Sequence, residues 1–495
     1  MFAWNGLFRD CETITVTSAA GLISWYTLAE QNTVDVSAII ERQKLGGFLI
    51  GLVLVSWIIT FFDGLDTNLI SFAAPYFGSQ YHLTKLQIGN IFSMGLFGTM
   101  LGGFALGYLG DRVGRRPMVV LSTVLFGILT MCFALANSYG SLFWLRFIDG
   151  LPLGGMLPLA WALNIEYAPK RYRATIVTVI MIGYSLGTAL GGPIAIWLIP
   201  KFGWKSVFVF GGIFSLLCAG ILFRVLPESI RFLASKGWSA DRLAPRIAPI
   251  LRRIAPGQPI PAGANFVLSD EGQQNKSFKP SLLFRGELRA ITPLVWMAYI
   301  ASSLAVFFIV NWTPVVFEAL QYSRREAATA ASLYSGVGAL GGLLLMRFTD
   351  KRGAIAITVM PVMTAILLLG ASFARIGHVG FLVLAAVTGG FLMGGHFGMH
   401  SICGIFYPSA YRANGAGWAT SIAKIGSVAG PILGGIVLST SLPVRYVFAV
   451  LAVCPAVMAV CVYMVGRMHR RILGREALAA GESANAALIA VRQEA

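Results

Sequence analysis

Twelve apolar stretches of about 20 residues recur along this chain, and they limit its fold more than any other feature. Each can cross a hydrocarbon layer of roughly 30 Å as an α-helix, and none alternates polar and apolar residues like a membrane β-strand. The predicted spans are 46–72, 86–109, 117–136, 140–166, 174–199, 206–226, 289–317, 327–347, 354–373, 379–405, 413–438 and 444–466. Only 12% of the 495 residues are charged, against about 25% in soluble chains, which excludes an ordinary soluble enzyme.

The basic residues are divided unequally between the two sets of loops. The richer set contains Arg112, Arg115, Arg116, Lys170, Arg171, Arg173, Arg347, Lys351 and Arg352. Because loops rich in Lys and Arg stay on the cytoplasmic side, this pattern predicts that both termini are cytoplasmic. The formal charge of +17 lies mainly in such loops, so we do not expect nucleic-acid binding.

Three motifs recur in the second half of the chain at an almost fixed offset of 239 residues. The matching segments are 111–114 with 350–353, 169–174 with 408–413, and, one residue out of register, 191–194 with 429–432. This repetition predicts two parallel six-helix halves with a substrate site between them at the midplane.

The repeat and the spans together divide the chain into five regions. They are a cytoplasmic N-terminal segment (1–45), a first half (46–226), a cytoplasmic linker (227–288), a second half (289–466) and a cytoplasmic tail (467–495). We interpret residues 1–31 as either an interfacial segment or the product of a misassigned start site. The linker is polar, basic and rich in Pro, and it has room for short amphipathic helices.

Two carboxylates lie inside the first span, in the segment Asp63-Gly-Leu-Asp66. Charged groups at such positions are costly and therefore indicate function. Residues at i and i+3 share one face of a helix, where a buried carboxyl group can take up and release a proton. The alternative is a structural ion pair with a cation on another helix.

Three charged motifs lie at the ends of spans. Segment 107–117, Gly-Tyr-Leu-Gly-Asp-Arg-Val-Gly-Arg-Arg-Pro, follows the second span. Segment 146–150, Arg-Phe-Ile-Asp-Gly, lies in the fourth span, and segment 227–233, Pro-Glu-Ser-Ile-Arg-Phe-Leu, follows the sixth. All three resemble signatures of the major facilitator superfamily, while a generic basic loop is the alternative for the first.

The Asp63–Asp66 segment, Trp312-Thr-Pro314 and the stretch 407–426 resemble the aromatic acid:proton symporter family within that superfamily. The resemblance covers roughly residues 32–466. It implies twelve transmembrane helices in two pseudo-symmetric halves of a bacterial-type inner membrane protein. It also implies import of a small aromatic acid with protons by alternating access, with no cofactor, no metal, no nucleic acid and no obligate protein partner.

We expect three groups of functional side chains, some at positions that match the family pattern and others at positions that depart from it. Proton coupling is expected at Asp63, Asp66, Asp149 and Glu166. Substrate binding is expected at Arg146, His396, His400, Trp312, Trp418 and Lys424. Gating is expected at Asp111, Arg112, Arg115, Arg116 and Arg412, with Glu166 pairing with the basic turn 112–116 as a latch.

Four positions depart from the family pattern. Asp149 is predicted either to pair with Arg146 at i, i+3 or to form a second proton site. His396 and His400, at i and i+4, can bind a phenol or carboxylate, titrate, or simply pack. Lys424 keeps the charge of the usual Arg but loses bidentate carboxylate binding.

The expected substrate is a hydroxy- or methoxybenzoate-like acid. The departures weaken a direct assignment of simple benzoates such as 4-hydroxybenzoate or protocatechuate and favour a methoxylated or lignin-derived acid. A proton-coupled carrier of another organic anion or of a sugar is the alternative. A membrane sensor on a transporter scaffold is a third interpretation, which the short linker and tail do not favour. We do not expect an enzyme, because the sequence contains no recognisable nucleophile and base pattern.

Overall fold

The computed structural model describes residues 33–236, 240–257, 261, 264–268, 279–352, 354–373, 377–407 and 412–493. Residues 1–31, whose role the sequence leaves open, lie outside this part of the chain, as does Gly353 of the repeat. Within the described residues, the predicted all-α membrane fold with twelve long helices is confirmed.

Six of these helices form the first half of the molecule. They are α2 (Gly47–Gln80), α3 (Lys85–Val113), α4 (Arg115–Phe133), α5 (Tyr139–Tyr167), α6 (Arg173–Phe202) and α7 (Lys205–Val225). The other six form the second half. They are α10 (Leu288–Ala319), α11 (Arg324–Arg352), α12 (Ala354–Phe373), α13 (His378–Phe406), α14 (Arg412–Leu438) and α15 (Val447–Gln493). By length and composition alone, nine helices in the described part of the chain can cross a membrane.

Several helices run further than the sequence predicts, and α2 and α15 extend furthest beyond their predicted C-terminal ends. The first span is predicted to end at residue 72, but α2 continues through Pro75 to Gln80, because Ala73, Ala74 and Phe77 are buried in the core of the molecule. Packing therefore outweighs the hydrogen bond that a proline removes from a helix. The last helix, α15, continues past residue 466 to Gln493, through most of the predicted tail.

The helix pairs repeat between the halves, as a duplicated architecture requires. In the first half α2 packs on α6, α3 on α5 and α4 on α7. In the second half α10 packs on α14, α11 on α13 and α12 on α15. The first helix of each half thus contacts the fifth, the second contacts the fourth, and the third contacts the sixth.

Glycines allow the closest of these approaches. A Cβ atom at Gly102 of α3 would overlap the backbone of Leu151 on α5. The second half repeats this contact, because a Cβ atom at Gly341 of α11 would overlap the backbone of Gly390 on α13. Small residues at such crossings let two helix backbones touch inside a membrane.

The segment before α2 and the linker pack together at one end of the first half. Strand β1 (Thr33–Asp35) pairs in parallel with β2 (Asn265–Val267), with Val34 opposite Phe266. Helix α1 (Val36–Arg42) follows β1, and the linker contains α8 (Ile230–Ser235) and α9 (Ala240–Ile254). Leu243, Ile247 and Leu251 of α9 are buried against this half. The linker therefore contains the short amphipathic helix that its composition permits.

The two halves contact each other chiefly through α3 with α14 and α6 with α11. Ser93 Oγ donates a hydrogen bond to the carbonyl oxygen of Val428 at 2.7 Å. A Cβ atom at Gly89 would lie 2.5 Å from the carbonyl oxygen of Pro431. These residues lie near the start of α3 and the end of α14, far from the loops rich in arginine. We call the arginine-rich end of the molecule the basic end, and the halves are closed together at the opposite end.

Candidate functional site

Arg146 occupies the centre of the first half, on α5, and only 7% of it is exposed. Its Nη1 atom donates to Asp66 Oδ2 on α2 and to Asp149 Oδ2 one turn along α5, both at 2.8 Å. Asp66 is 2% exposed and Asp149 1% exposed. Both hydrogen-bond partners of the guanidinium are therefore buried carboxylates, and Nη1 donates to each of them.

Neighbouring helices make this arrangement possible. A Cβ atom at Gly95 of α3 would lie 2.7 Å from Arg146 Nε, so the arginine side chain packs directly against this glycine. Thr130 of α4 donates to Asp149 Oδ1 at 3.1 Å. Among the described residues, neither Arg146 Nε nor Asp66 Oδ1 has a hydrogen-bond partner.

A second cation reaches this region from the other half. Lys424 of α14 is half-buried and interacts electrostatically with Asp63 of α2, which is itself buried. Asp63 also interacts with Asp66 and Arg146. We call Asp63, Asp66, Arg146, Asp149 and Lys424 the central cluster. With all its groups ionised it contains three carboxylates and two cations, so it carries one excess negative charge.

His396 lies on α13 and points to a partner in its own half. Its Nδ1 atom and the hydroxyl oxygen of Ser302 on α10 are 2.9 Å apart and share a hydrogen bond. The side chains of His400 and Arg412, both predicted to be functional, lie outside the described part of the structure. Ser302 was not predicted from the sequence, since a small hydroxyl side chain in an apolar span gives no functional signal.

The two predicted substrate-binding tryptophans already have protein partners. The indole N–H of Trp312 donates to the carbonyl oxygen of Pro431 at 3.0 Å, and its ring meets Phe92 of the first half edge to face. Trp312 is fully buried at the contact between the halves. Trp418 is 41% exposed and stacks on Trp296 at 6.3 Å between ring centroids. Both side chains therefore have packing contacts within the protein, and their role in substrate binding stays a prediction.

At the basic end, segment 107–117 and segment 227–233 come together around Glu166. The carboxylate of Glu166 pairs with Arg115 and accepts a hydrogen bond from Ser229 Oγ. Arg115 also lies 3.8 Å from Asp111. The predicted pairing of Glu166 with the basic turn is therefore present, with Arg115 as its partner.

Glu228 connects the same two segments through the backbone. Its Oε1 atom accepts hydrogen bonds from the N–H groups of Arg115 at 3.0 Å and Arg116 at 3.2 Å, so it caps the start of α4. Tyr167 donates its hydroxyl hydrogen to the carbonyl oxygen of Glu228. Sequence reasoning did not predict this cap, because Glu228 and α4 are more than 100 residues apart.

Arg112 and Arg116 point away from Glu166. The guanidinium of Arg112 lies 4.4 Å from the ring centroid of Tyr108. Arg116 Nη2 donates to the carbonyl oxygen of Phe223 at 2.7 Å. Arg112 thus lies over a ring of its own helix and Arg116 contacts α7, and Arg115 alone of the three pairs with Glu166.

A second charged cluster closes the opposite end. Glu318 of α10 pairs with Arg324 Nε at 3.2 Å and interacts electrostatically with Lys85 of α3. The guanidinium of Arg324 also lies 4.1 Å from the ring centroid of Tyr76 on α2. Lys85 and Tyr76 belong to the first half, and Glu318 and Arg324 to the second. The sequence indicates these residues only as loop charges.

Comparison with known proteins identifies the family to which this chain is similar. A model of the Major Facilitator Superfamily matches residues 56–399 and, separately, 295–490. The chain is 30% identical to the gallate transporter of Pseudomonas putida over 451 residues, which are 90% of this chain and 98% of that protein. It is 31% identical to the 4-hydroxybenzoate transporter of Pseudomonas aeruginosa, covering 86% of this chain and 94% of that protein.

Solved structures show the same fold. A D-xylose–proton symporter aligns with a TM-score of 0.66 and 17% identity, over 84% of this chain and 98% of that one. An inward-facing bacterial homologue of the human lysosomal transporter Spinster aligns with a TM-score of 0.64 and 16% identity, over 86% and 98%. These relatives and neighbours are transporters, which confirms the expectation of a transporter and not an enzyme. The chain belongs to the Major Facilitator Superfamily, and curated relatives matching most of its length are aromatic acid transporters.

Proposed function

We propose that this protein imports a small aromatic carboxylate together with protons across a bacterial inner membrane, with its basic end in the cytoplasm. The observation that carries the proposal is the central cluster, where Arg146 is held by two buried carboxylates and Lys424 approaches from the other half. The names of the relatives support the substrate class. No resident cofactor is needed, because the proton gradient supplies the energy.

The excess negative charge of the central cluster favours the binding of a proton there. A proton on Asp66 or Asp149 would neutralise the cluster. It would also weaken one of the two hydrogen bonds that Arg146 Nη1 donates, so that this N–H group could donate to the substrate instead. Charges in a membrane interior are costly, and the cluster with a bound carboxylate carries two excess negative charges, so substrate binding favours uptake of a second proton. Uptake of the anion and uptake of protons are linked through this shared charge balance.

The substrate would lie between the halves. Lys424 provides a cation for the carboxylate as a single point charge, since a lysine cannot form the two parallel hydrogen bonds of an arginine. The imidazole of His396, whose Nδ1 atom bonds to Ser302, provides a polar group for a phenolic or methoxy oxygen of the substrate. This placement favours a hydroxylated or methoxylated benzoate over an unsubstituted ring.

Alternating access would require the halves to separate at the end where they are now in contact. The halves meet near Ser93 and Val428, and rocking about the central cluster would open this end while closing the basic end. Glu166 and Arg115 would then serve as a latch within the first half at the basic end, and the cluster of Glu318 and Arg324 would act at the opposite end.

Uptake into proteoliposomes tests the proposal. Purified protein is reconstituted with an alkaline interior and exposed to radiolabelled hydroxy- and methoxybenzoates, D-xylose and an aliphatic acid, each with and without a protonophore. We expect uphill accumulation of an aromatic acid that the protonophore abolishes. Accumulation of only the sugar or the aliphatic acid would overturn the substrate class, and accumulation insensitive to the protonophore would overturn proton coupling.

A further inference from the structure

Two apolar grooves flank helix α7 near the basic end of the first half. One, of about 340 Å³, lies between α2 and α7 and includes Gly47, Gly51, Leu52, Val225 and Arg253. The other, of about 380 Å³, lies between α4 and α7 and includes Val120, Val124, Gly220, Phe223 and Arg224. Both are on the outer surface, since Leu54, Val225 and Phe223 on the same helices are exposed apolar side chains.

The two grooves extend over similar lengths of helix. In the first, α2 contributes residues from Gly47 to Val55, and in the second, α7 contributes residues from Leu216 to Arg224. Eight steps along a helix are about 12 Å, which is most of one leaflet of the hydrocarbon layer. Glycines open both walls, because no atom would lie within 4 Å of a Cβ at Gly51 or Gly220.

Each groove has an arginine where it reaches the basic end. Arg224 is exposed in the last turn of α7, and Arg253 is exposed in the last turn of α9, the linker helix that packs over this half. An apolar channel that ends at a cation at the membrane surface complements an amphiphile with an anionic head. Arginine forms strong charge-assisted hydrogen bonds with phosphate oxygens, and basic pockets between membrane helices bind anionic headgroups.

We propose that the grooves on the two sides of α7 bind anionic phospholipid. The phosphate lies at Arg253 in one groove and at Arg224 in the other, and an acyl chain lies along each apolar wall. Because Arg253 belongs to the linker, the first lipid ties α9 to the membrane-spanning part of the first half. The proposal does not depend on which molecule the protein transports.

Lipid retention in native mass spectrometry tests the proposal. Protein is delipidated and then exposed to mixed micelles of dioleoylphosphatidylcholine and dioleoylphosphatidylglycerol. We expect wild type to retain phosphatidylglycerol selectively, and the R224Q/R253Q variant to lose this selectivity, with retention weakened about fivefold for each arginine removed. Arg252→Gln is the matched control, since Arg252 is an exposed neighbour that does not line the groove.

A second variant separates the groove from general surface charge. Gly51→Leu with Gly220→Leu fills the acyl part of both grooves and keeps every arginine, and the open space at these glycines allows the variant to fold. We expect it to lose phosphatidylglycerol while keeping the thermal stability of wild type in phosphatidylcholine. If the filled variant retains the lipid, or if R252Q loses as much as R224Q/R253Q, the groove assignment is overturned.

Discussion

At the scale of single residues, Arg146 is the side chain on which the site depends. One of its nitrogens donates to carboxylates on two helices. A change in the charge of either carboxylate therefore alters the strength of the hydrogen bond from Arg146 to the other. Removing one partner of a buried charge pair leaves an uncompensated charge. This coupling makes Asp66 and Asp149 distinguishable by mutation, because Asp149 has Thr130 as a further partner.

Asp66→Asn is expected to abolish accumulation driven by the pH gradient and to preserve exchange of substrate across the membrane. The amide cannot take up a proton, but it keeps the shape of the side chain beside Arg146. Proteoliposome uptake with a pH gradient, compared with counterflow in its absence, measures the two activities. Glu287→Gln, at an exposed position, is the control and should behave like wild type. Undiminished uphill uptake in Asp66→Asn would remove Asp66 from the coupling role.

At the scale of elements, close helix contacts and one long-range cap hold the first half together. The crossing of α3 and α5 depends on glycine, since a Cβ at Gly102 would overlap Leu151. The start of α4 depends on Glu228, whose carboxylate accepts from the backbone of Arg115 and Arg116. Unpaired N–H groups at a helix start need such partners.

Gly102→Ala is expected to destabilise the protein by about 1–3 kcal/mol, because the added methyl group forces α3 and α5 apart. The matched control is Gly107→Ala in the same helix, where no atom lies within 4 Å of the added carbon. That control should be neutral or slightly stabilising, since alanine favours a helix more than glycine does. Thermal unfolding in detergent measures both, and equal melting temperatures would contradict the packing argument.

Glu228→Ala is expected to loosen the first turn of α4 without unfolding the half. Loss of a helix cap costs about 1 kcal/mol, which corresponds to roughly fivefold faster amide exchange in the first turn. Hydrogen exchange with mass spectrometry on peptides covering 115–120 measures this change. Glu287→Ala is the control, because Glu287 stands at the start of α10 without a side-chain cap. Unchanged exchange at 115–120 would show that water replaces Glu228 at no cost.

At the scale of the whole molecule, the two halves are held closed at one end. The contacts that cross between them there include the cation–π pair of Arg324 with Tyr76 and the hydrogen bond of Ser93 with Val428. Alternating access requires these contacts to break and re-form, so their strength sets the population of each state.

Arg324→Gln is expected to shift the protein toward the state that is open at this end. An exposed cation–π contact contributes about 0.5–1 kcal/mol, so the population ratio should change about two- to fivefold. Spin labels are placed at Ser138 and Thr440, which are both exposed at this end but lie in different halves. Pulsed electron paramagnetic resonance then reports the change as a longer distance between the two labels. Arg325→Gln removes the same charge from the next position and should leave the distances unchanged. An identical shift in both variants would mean that net charge, and not the contact with Tyr76, holds the end closed.

The twelve spans could be predicted because they depend on local properties of the chain, and the two-half architecture could be predicted because motifs of the first half recur in the second. The length of an apolar run and the cost of a buried charge do not require knowledge of the fold. The same cost pointed to Asp63 and Asp66 as functional candidates, whereas Arg146 was expected from the family resemblance and Asp149 as a departure from the family pattern. The i, i+3 spacing of Arg146 and Asp149 was enough to suggest their pair, which the structure contains.

Only the tertiary structure decided which residues act together across helices. Asp66 meets Arg146, 80 residues away, because the helices pack side by side and Gly95 of α3 leaves room for the arginine side chain. Glu228 caps α4, and Arg324 lies on Tyr76, because helix packing brings distant segments together. The extension of α2 through Pro75 has the same origin, since the burial of its last turns outweighs the local preference of proline to end a helix. Local chemistry in the sequence thus determined the spans and the charged candidates, and the packing of the helices determined their partners.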